Sequence, residues 1–319
     1  MSTFMQRRPN RLFGLRTLTT ALVSTGLIVC APSRAASEFA LSSKPQPQSQ
    51  ASKAVQPQVD QQAAQAAAQK RKKLLAEATA ALAQTQQALQ ALEDKKNEEA
   101  LKALADVTGK LELIVARDPA LALAPVSTAV VSYDLFASLD TVKVALAQAR
   151  RDLADGEVQK ARVLIDALAS EVQIRTTNIP LATYPTAIKA ITPLIDAGKI
   201  DEAKAQLQAA LGTLVITTDV IALPKLRAQS LLKEAQTLTE KKDRSKEDDD
   251  KLARELQAAG EQLQMAQLLG YGKKSDYKPL YEQIDGIRKA SAGGKSGVGW
   301  FDKIKKQLAG GALEPSGGI

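Results

Sequence analysis

The chain has 319 residues, no histidine and one cysteine, Cys30, and its 43 basic and 35 acidic side chains leave a net charge of +8. That composition removes the usual physiological-pH acid/base, the commonest metal ligand and, beyond residue 35, the thiol nucleophile. No internal disulfide can form, so packing alone holds the fold, and the length is enough for a sizeable core.

The amino-terminal residues predict a secretory address. Residues 1–16 hold Arg7, Arg8, Arg11 and Arg16 and no acid, an apolar stretch runs from Leu18 to Val29, and Ser33-Arg34-Ala35 puts small residues where a signal peptidase reads. The apolar stretch falls short of the roughly 20 residues that span a bilayer, so 1–35 reads as a signal peptide; a retained anchor helix is the alternative. Pro9-Asn10 after the arginine pair does not suit a twin-arginine signal, and Val29 before Cys30 does not suit a lipoprotein signal. A Sec-type signal predicts a periplasmic mature chain. Its removal takes five arginines and leaves 38 basic against 35 acidic residues, a net of +3. That is too even a balance to argue for nucleic acid, which calls for a basic face.

Residues 36–59, rich in Ser, Gln, Pro and Ala, read as a flexible tether. A helical domain is expected over 60–290. Leu75, Leu82 and Leu89 recur every seven residues with Ala78 and Leu92 beside them, a heptad seam. A polar break from Glu93 to Asn97 precedes Leu101, Leu104 and Leu111, which predicts an antiparallel helical hairpin. Further stripes follow: Val142, Leu146, Ala149 and Leu153; Val158, Ala161, Ile165, Leu168 and Val172; Ile188, Ile191 and Ile195; Ala203, Leu207, Ala210 and Leu214. Leu231, Ala235 and Leu238, then Leu252, Leu256, Ala259 and Leu263, then Leu280, Ile284 and Ile287 complete the set.

Gly156 and Gly198 stand where helices should stop in a left-handed cap. Ser245 and Asp248 form a capping-box pattern. The acids Asp248 to Asp250 then suit a helix start through the dipole better than a cation site. Ala100, Ala161 and Ala203 occupy matched places in three weakly similar hairpin segments, 92–104, 153–165 and 195–207, where small residues let helices approach. Three stretches, 118–131, 174–185 and 215–224, break the helical period with Pro, Thr and β-branched residues. They predict extended connectors packed over the bundle, with room for a short strand pair. The fold class is therefore mainly α: a multi-helix bundle of antiparallel hairpins with extended Pro/Thr-rich connectors.

The search for chemistry assigns no catalytic, cofactor-binding or metal-ligating residue. Gly270-Tyr271-Gly272-Lys273-Lys274 lacks the strand and the spacing of a phosphate loop and reads as a helix stop and a turn. Paired carboxylates are the one catalytic device this composition permits, and they keep open a carboxylate-based cell-wall hydrolase. No carboxylate stands in an apolar setting that would mark a raised pKa.

The aromatics are concentrated. Five of the nine beyond residue 35 lie in 271–301: Tyr271, Tyr277, Tyr281, Trp300 and Phe301. Trp300, Phe301, Ile304 and Leu308 form an apolar stripe on a short helix within 291–319, tethered by the glycine-rich stretch before it. Such a helix is marginal alone and needs a surface. Three are open to it: its own core, a neighbouring subunit, or a foreign partner, the membrane surface included. These seven residues are the candidate partner or subunit contacts.

Residues 184–224 (YPTAIKAITPLIDAGKIDEAKAQLQAALGTLVITTDVIALP) followed by 269–284 (LGYGKKSDYKPLYEQI) resemble the YfdX family of bacterial periplasmic proteins. The likeness runs over roughly residues 98–290 and excludes the Gln/Ala-rich segment before residue 70. The resemblance implies a secreted, mainly helical protein that forms homo-oligomers and is linked to envelope and acid stress, with no agreed catalytic residues to transfer. It implies a binding or chaperone-like role, toward unfolded clients or small apolar molecules in an inter-helix pocket. Composition adds one independent expectation. Full carboxylate protonation would take the mature side-chain net from +3 to +38, and self-repulsion of that size would loosen the bundle or its assembly below about pH 4.

Overall fold

A computed structural model describes residues 49–311. The predicted signal peptide over 1–35, residues 36–48 of the predicted tether and the last eight residues lie outside the described residues.

The first described element corrects the tether reading. Helix α1 spans Gln50–Arg71, capped by Ser49, whose hydroxyl accepts the Ser52 N–H at 3.1 Å. Val55 and Val59, inside the expected tether, are buried against the rest of the chain. A Gln/Ala-rich stretch is a marginal helix in water; tertiary docking of two valines and a line of alanines orders it here.

Helices α2 (Ala76–Glu93) and α3 (Asn97–Arg117) form the predicted hairpin, with Lys95 in the left-handed region at φ 60° in the turn between them. The leucine heptad is not the centre of its seam. Ala78, Ala81, Thr85, Ala88 and Ala91 are buried there against Ala100, Ala103, Leu104 and Val107, while Leu75, Leu82 and Leu89 flank it half-buried. Alanines bring the helix axes close, and the leucines fill the shoulders.

The three period-breaking stretches become a sheet, more than the expected connectors. Strands β1 (Leu123–Tyr133), β2 (Glu171–Pro180) and β3 (Val215–Ala222) pair antiparallel in that order. The register sets Val130 opposite Ile174 and Ile174 opposite Asp219. Between β1 and β2 stand α4 (Leu139–Ala154) and α5 (Val158–Asp166); between β2 and β3 stand α6 (Tyr184–Lys189), α7 (Thr192–Asp196) and α8 (Ile200–Gly212). The stripe expected from Val158 to Val172 is therefore cut: α5 stops at Asp166, and Val172 points from a strand into the core. Gly156 and Gly198 end their helices with φ of 76° and 72°, as the sequence requires.

After the sheet come α9 (Leu223–Glu240), α10 (Lys246–Leu268), α11 (Lys274–Ser291) and α12 (Asp302–Gly311). Ser245 and Asp248 cap α10 reciprocally, each backbone N–H meeting the other's side chain at 3.1 Å.

The buried residues form two main cores. One gathers α2, α3, the start of β1 and α6–α8. The other gathers α9–α12 with Val55 of α1. A smaller cluster joins α1 to the inner face of the sheet through Val59, Ala67, Val172, Ile174 and Ile221. The matched alanines Ala100, Ala161 and Ala203 are all fully buried.

Candidate functional site

Of the three surfaces open to the carboxy-terminal helix, it takes its own core. Phe301, 1% exposed, lies with Ile304 and Leu308 in the cluster formed with α9, α10 and α11. The expectation that these three residues serve a partner is corrected: their apolar atoms are spent within the chain. Trp300 is half-buried beside them, its indole lying over Gly297, where a Cβ would clash with the ring.

The sequence reading misses the residue that guides this docking. The side chain of Arg244 is fully buried, and its Nε donates to Asp249 at 2.8 Å. Its Nη2 donates to the Ser291 and Lys295 carbonyls at 3.2 and 2.8 Å. One guanidinium thus fastens the connector before α12 to the α9–α10 turn, using the fixed fork of donors that arginine provides. In the sequence it sits in the charged run KKDRSKEDDD, where nothing separates it from solvated neighbours.

The tyrosines are also internal. Tyr277 is buried and stacks on Tyr281 with ring centroids 6.5 Å apart, the helix spacing placing both on one face of α11. The Tyr281 hydroxyl donates to Gln267 at 2.9 Å. The Tyr271 hydroxyl accepts the Ser170 N–H at 2.8 Å, tying the Gly270 turn to the start of β2. Burial pushes the Tyr271 and Tyr277 phenols above their ordinary range. Tyr271 and Tyr281, half-buried, act as internal struts.

The apolar surface that does face solvent lies elsewhere, on the α4–α5 hairpin. Helix α5 packs extensively only on α4, and α4 in turn on α10. Among the nine residues of α5 only Ala161 is buried. Val158 and Ile165, seven apart and so on one flank beside Ala161, are exposed, and Val163 is 70% exposed. Val144, Leu153 and Phe136 add exposed apolar area on the same hairpin and its lead-in. The pairs Lys160–Glu157 (2.6 Å) and Arg162–Asp166 (3.5 Å) border it. The sequence pattern marks Val158 and Ile165 as a buried stripe; among the described residues they stay exposed. Large exposed apolar patches with a polar rim mark contact sites.

The outer face of the sheet is open too. Alternation puts Ser127, Ala129, Val131 and Tyr133 of β1 on it, and Ile216, 64% exposed, with Thr218 of β3.

The polar interior contains one group that the sequence reading misjudges. Glu255, only 4% exposed, lies in the apolar stripe of α10 between Leu252 and Ala259, on the face turned to α1 and α9. Burial raises its pKa, Glu234 on α9 adds to the shift, and Lys251 and Arg254 partly offset it. Its spacing from Leu252 and Ala259, three and four residues, was the available signal. Among the described residues no three His, Cys, Asp or Glu side chains gather in a metal-binding group, and no helix is long and apolar enough to cross a membrane.

Comparison with known proteins bears on part of this architecture. Among curated proteins nothing matches the sequence. Among solved structures, YfdX of Salmonella Typhi is similar at 14% identity, over 47% of this chain and 93% of that one, with a TM-score of 0.33. The family model described as YfdX protein matches residues 81–220, which hold most of the α2–α3 hairpin, the α4–α5 hairpin, α6–α8 and nearly all of the sheet. Helices α1 and α9–α12 lie outside that match. Through residues 81–220 the chain belongs to the YfdX family.

Proposed function

We propose that this protein acts by non-covalent association: a periplasmic, stress-related helical protein that self-associates and holds apolar partners, without catalysing a reaction. One observation carries the reading. The apolar flank of α5, with Val158 and Ile165, is exposed among the described residues although its pattern is that of a buried helix face. A helix that is amphipathic in sequence and uncovered in isolation needs a partner, because each large aliphatic side chain gains roughly 1.5–3 kcal/mol on burial. The signal sequence supports the compartment. The lack of histidine, and of cysteine beyond the signal, supports binding over chemistry.

The test is suppression of client aggregation, read by light scattering of a thermally unfolding model protein, beside apolar-dye binding from pH 7 to pH 3. The wild type should suppress aggregation and bind more dye as its carboxylates protonate. A Val158→Asp, Ile165→Asp variant should lose the suppression at unchanged helicity. Equal suppression by both proteins, or dye binding flat across the pH range, would overturn the reading.

A second reading has one observation in its favour. A cleft of about 610 Å³ between α3 and α6–α7, walled by Leu101, Ala105, Lys189 and Thr192, is within the size range of small-molecule sites. Binding of small apolar compounds there would be lost on Ala105→Trp and untouched by the α5 variant.

A further inference from the structure

Helix α1 is joined to the chain in a way that its contacts do not require. It packs on β1, β2, α9 and α10, all beginning at Leu123 or later, more than fifty positions past Arg71. The next helix in sequence, α2, is not among its extensive partners. The link between them is the turn Lys72–Leu75, whose four backbone N–H groups donate to Ala68, Lys70, Arg71 and Pro125 in turn.

Its docking site is a formed groove. Val59 and Ala67 lie over Val172, Ile174, Ile221 and Leu226, and Val55 enters the α9–α10 core. Four polar latches set the register. Buried Arg227 donates twice to Gln56 Oε1, at 3.2 and 3.0 Å. Gln58 donates to Glu234 at 2.8 Å. Gln262 reaches the Ser52 hydroxyl at 3.4 Å. Lys70 pairs with Asp219 at 2.7 Å. Every receiving residue lies on β3, α9 or α10, so each contact is indifferent to which copy of the chain supplies the helix.

The hold is also light. The fully buried side chains of this 22-residue helix are Ser52, Val55, Val59 and Ala67, and Pro57 interrupts its backbone bonding. Composition alone makes the same stretch a solvated segment. An arm that docks only at a distance, through few apolar atoms and one short hinge, can exchange between identical chains.

We propose that α1 is an exchangeable arm, and that its groove on β2, β3, α9 and α10 takes the α1 of a second copy in a reciprocal, domain-swapped dimer. A second copy is the occupant because an identical helix restores Val55, Val59 and all four latches at once. This association is independent of the α5 surface, and the arm itself lies outside the family-matched region.

The test uses two single-cysteine proteins, Ser52→Cys and Gln262→Cys, in a background whose only natural thiol is removed as Cys30→Ser. The proteins are mixed, incubated at rising concentration, diluted and treated with a short bismaleimide. The expected result is a covalent dimer joining position 52 of one chain to position 262 of the other, increasing with concentration and incubation time. A chain carrying both cysteines serves as the docking control and cross-links internally when dilute. Internal cross-linking of that control with no inter-chain 52–262 product at any concentration would overturn the proposal; so would a control that never cross-links. Repeating the mixture with Val158→Asp, Ile165→Asp should leave the inter-chain product unchanged. Its loss there would assign the dimer to the α5 surface instead.

Discussion

Replacing Phe301 by alanine should release α12 without unfolding the chain. Phe301 is 1% exposed and shares its cluster with Ile304 and Leu308. Truncating a buried phenylalanine costs about 3–5 kcal/mol. The docking of α12 rests on three buried apolar side chains at roughly 1.5–3 kcal/mol each, set against the ordering of a ten-residue helix. The net docking energy is therefore no larger than the loss, and local undocking is the cheaper response. Arg244 would still hold the connector at Ser291 and Lys295. Hydrogen exchange followed by mass spectrometry checks this directly. Peptides covering 300–309 should lose protection in Phe301→Ala, and those covering 250–266 should keep it. Full protection of α12 in the variant would refute the argument. A change of assembly size with α12 still protected would return this helix to a subunit interface.

Ala100 is fully buried in the α2–α3 seam, so Ala100→Leu should overpack it and cost about 1–3 kcal/mol in denaturant unfolding; no loss would mean the helices are not in close contact there. Tyr271→Phe removes the acceptor for the buried Ser170 N–H, at about 1–3 kcal/mol, and thermal melts should show it. Glu255 has a native pKa raised by burial. Above the unfolded-state value, near pH 4.3, the native state holds more protons than the unfolded one, so stability falls as pH rises through the native pKa. Glu255→Gln should therefore match the wild type in acid and exceed it in chemical stability at neutral pH. A less stable variant at pH 7 would contradict this.

Much of the fold is legible in the sequence wherever local rules decide it. Gly156 and Gly198 end helices because few other residues accept a positive φ, and Ser245 with Asp248 carries its own cap. The alanines at 100, 161 and 203 mark close helix approach by their small size and matched positions alone. Reading fails where distant contacts decide. Residues 50–59 look solvated until β2, β3 and α9 supply a groove for Val55 and Val59. The stretches 118–131 and 215–224 look like connectors because pairing with β2 is invisible to a local window. The aromatic residues Phe301 and Tyr277 look like a contact surface because composition cannot distinguish a self-docked helix from a partner-docked one. The α5 stripe is plainly apolar in the sequence, but only the packed chain shows that the described residues leave Val158 and Ile165 exposed.

The central claim, that α5 is an association surface, is tested most directly by sedimentation velocity of the chain beginning at residue 36, with and without Val158→Asp and Ile165→Asp. The account predicts a concentration-dependent assembly for the wild type and a marked reduction in assembly for the variant, with unchanged helicity because both positions are exposed in the single chain. The same sedimentation distribution for both proteins, or a variant whose reduced assembly comes with lost helicity, would contradict it.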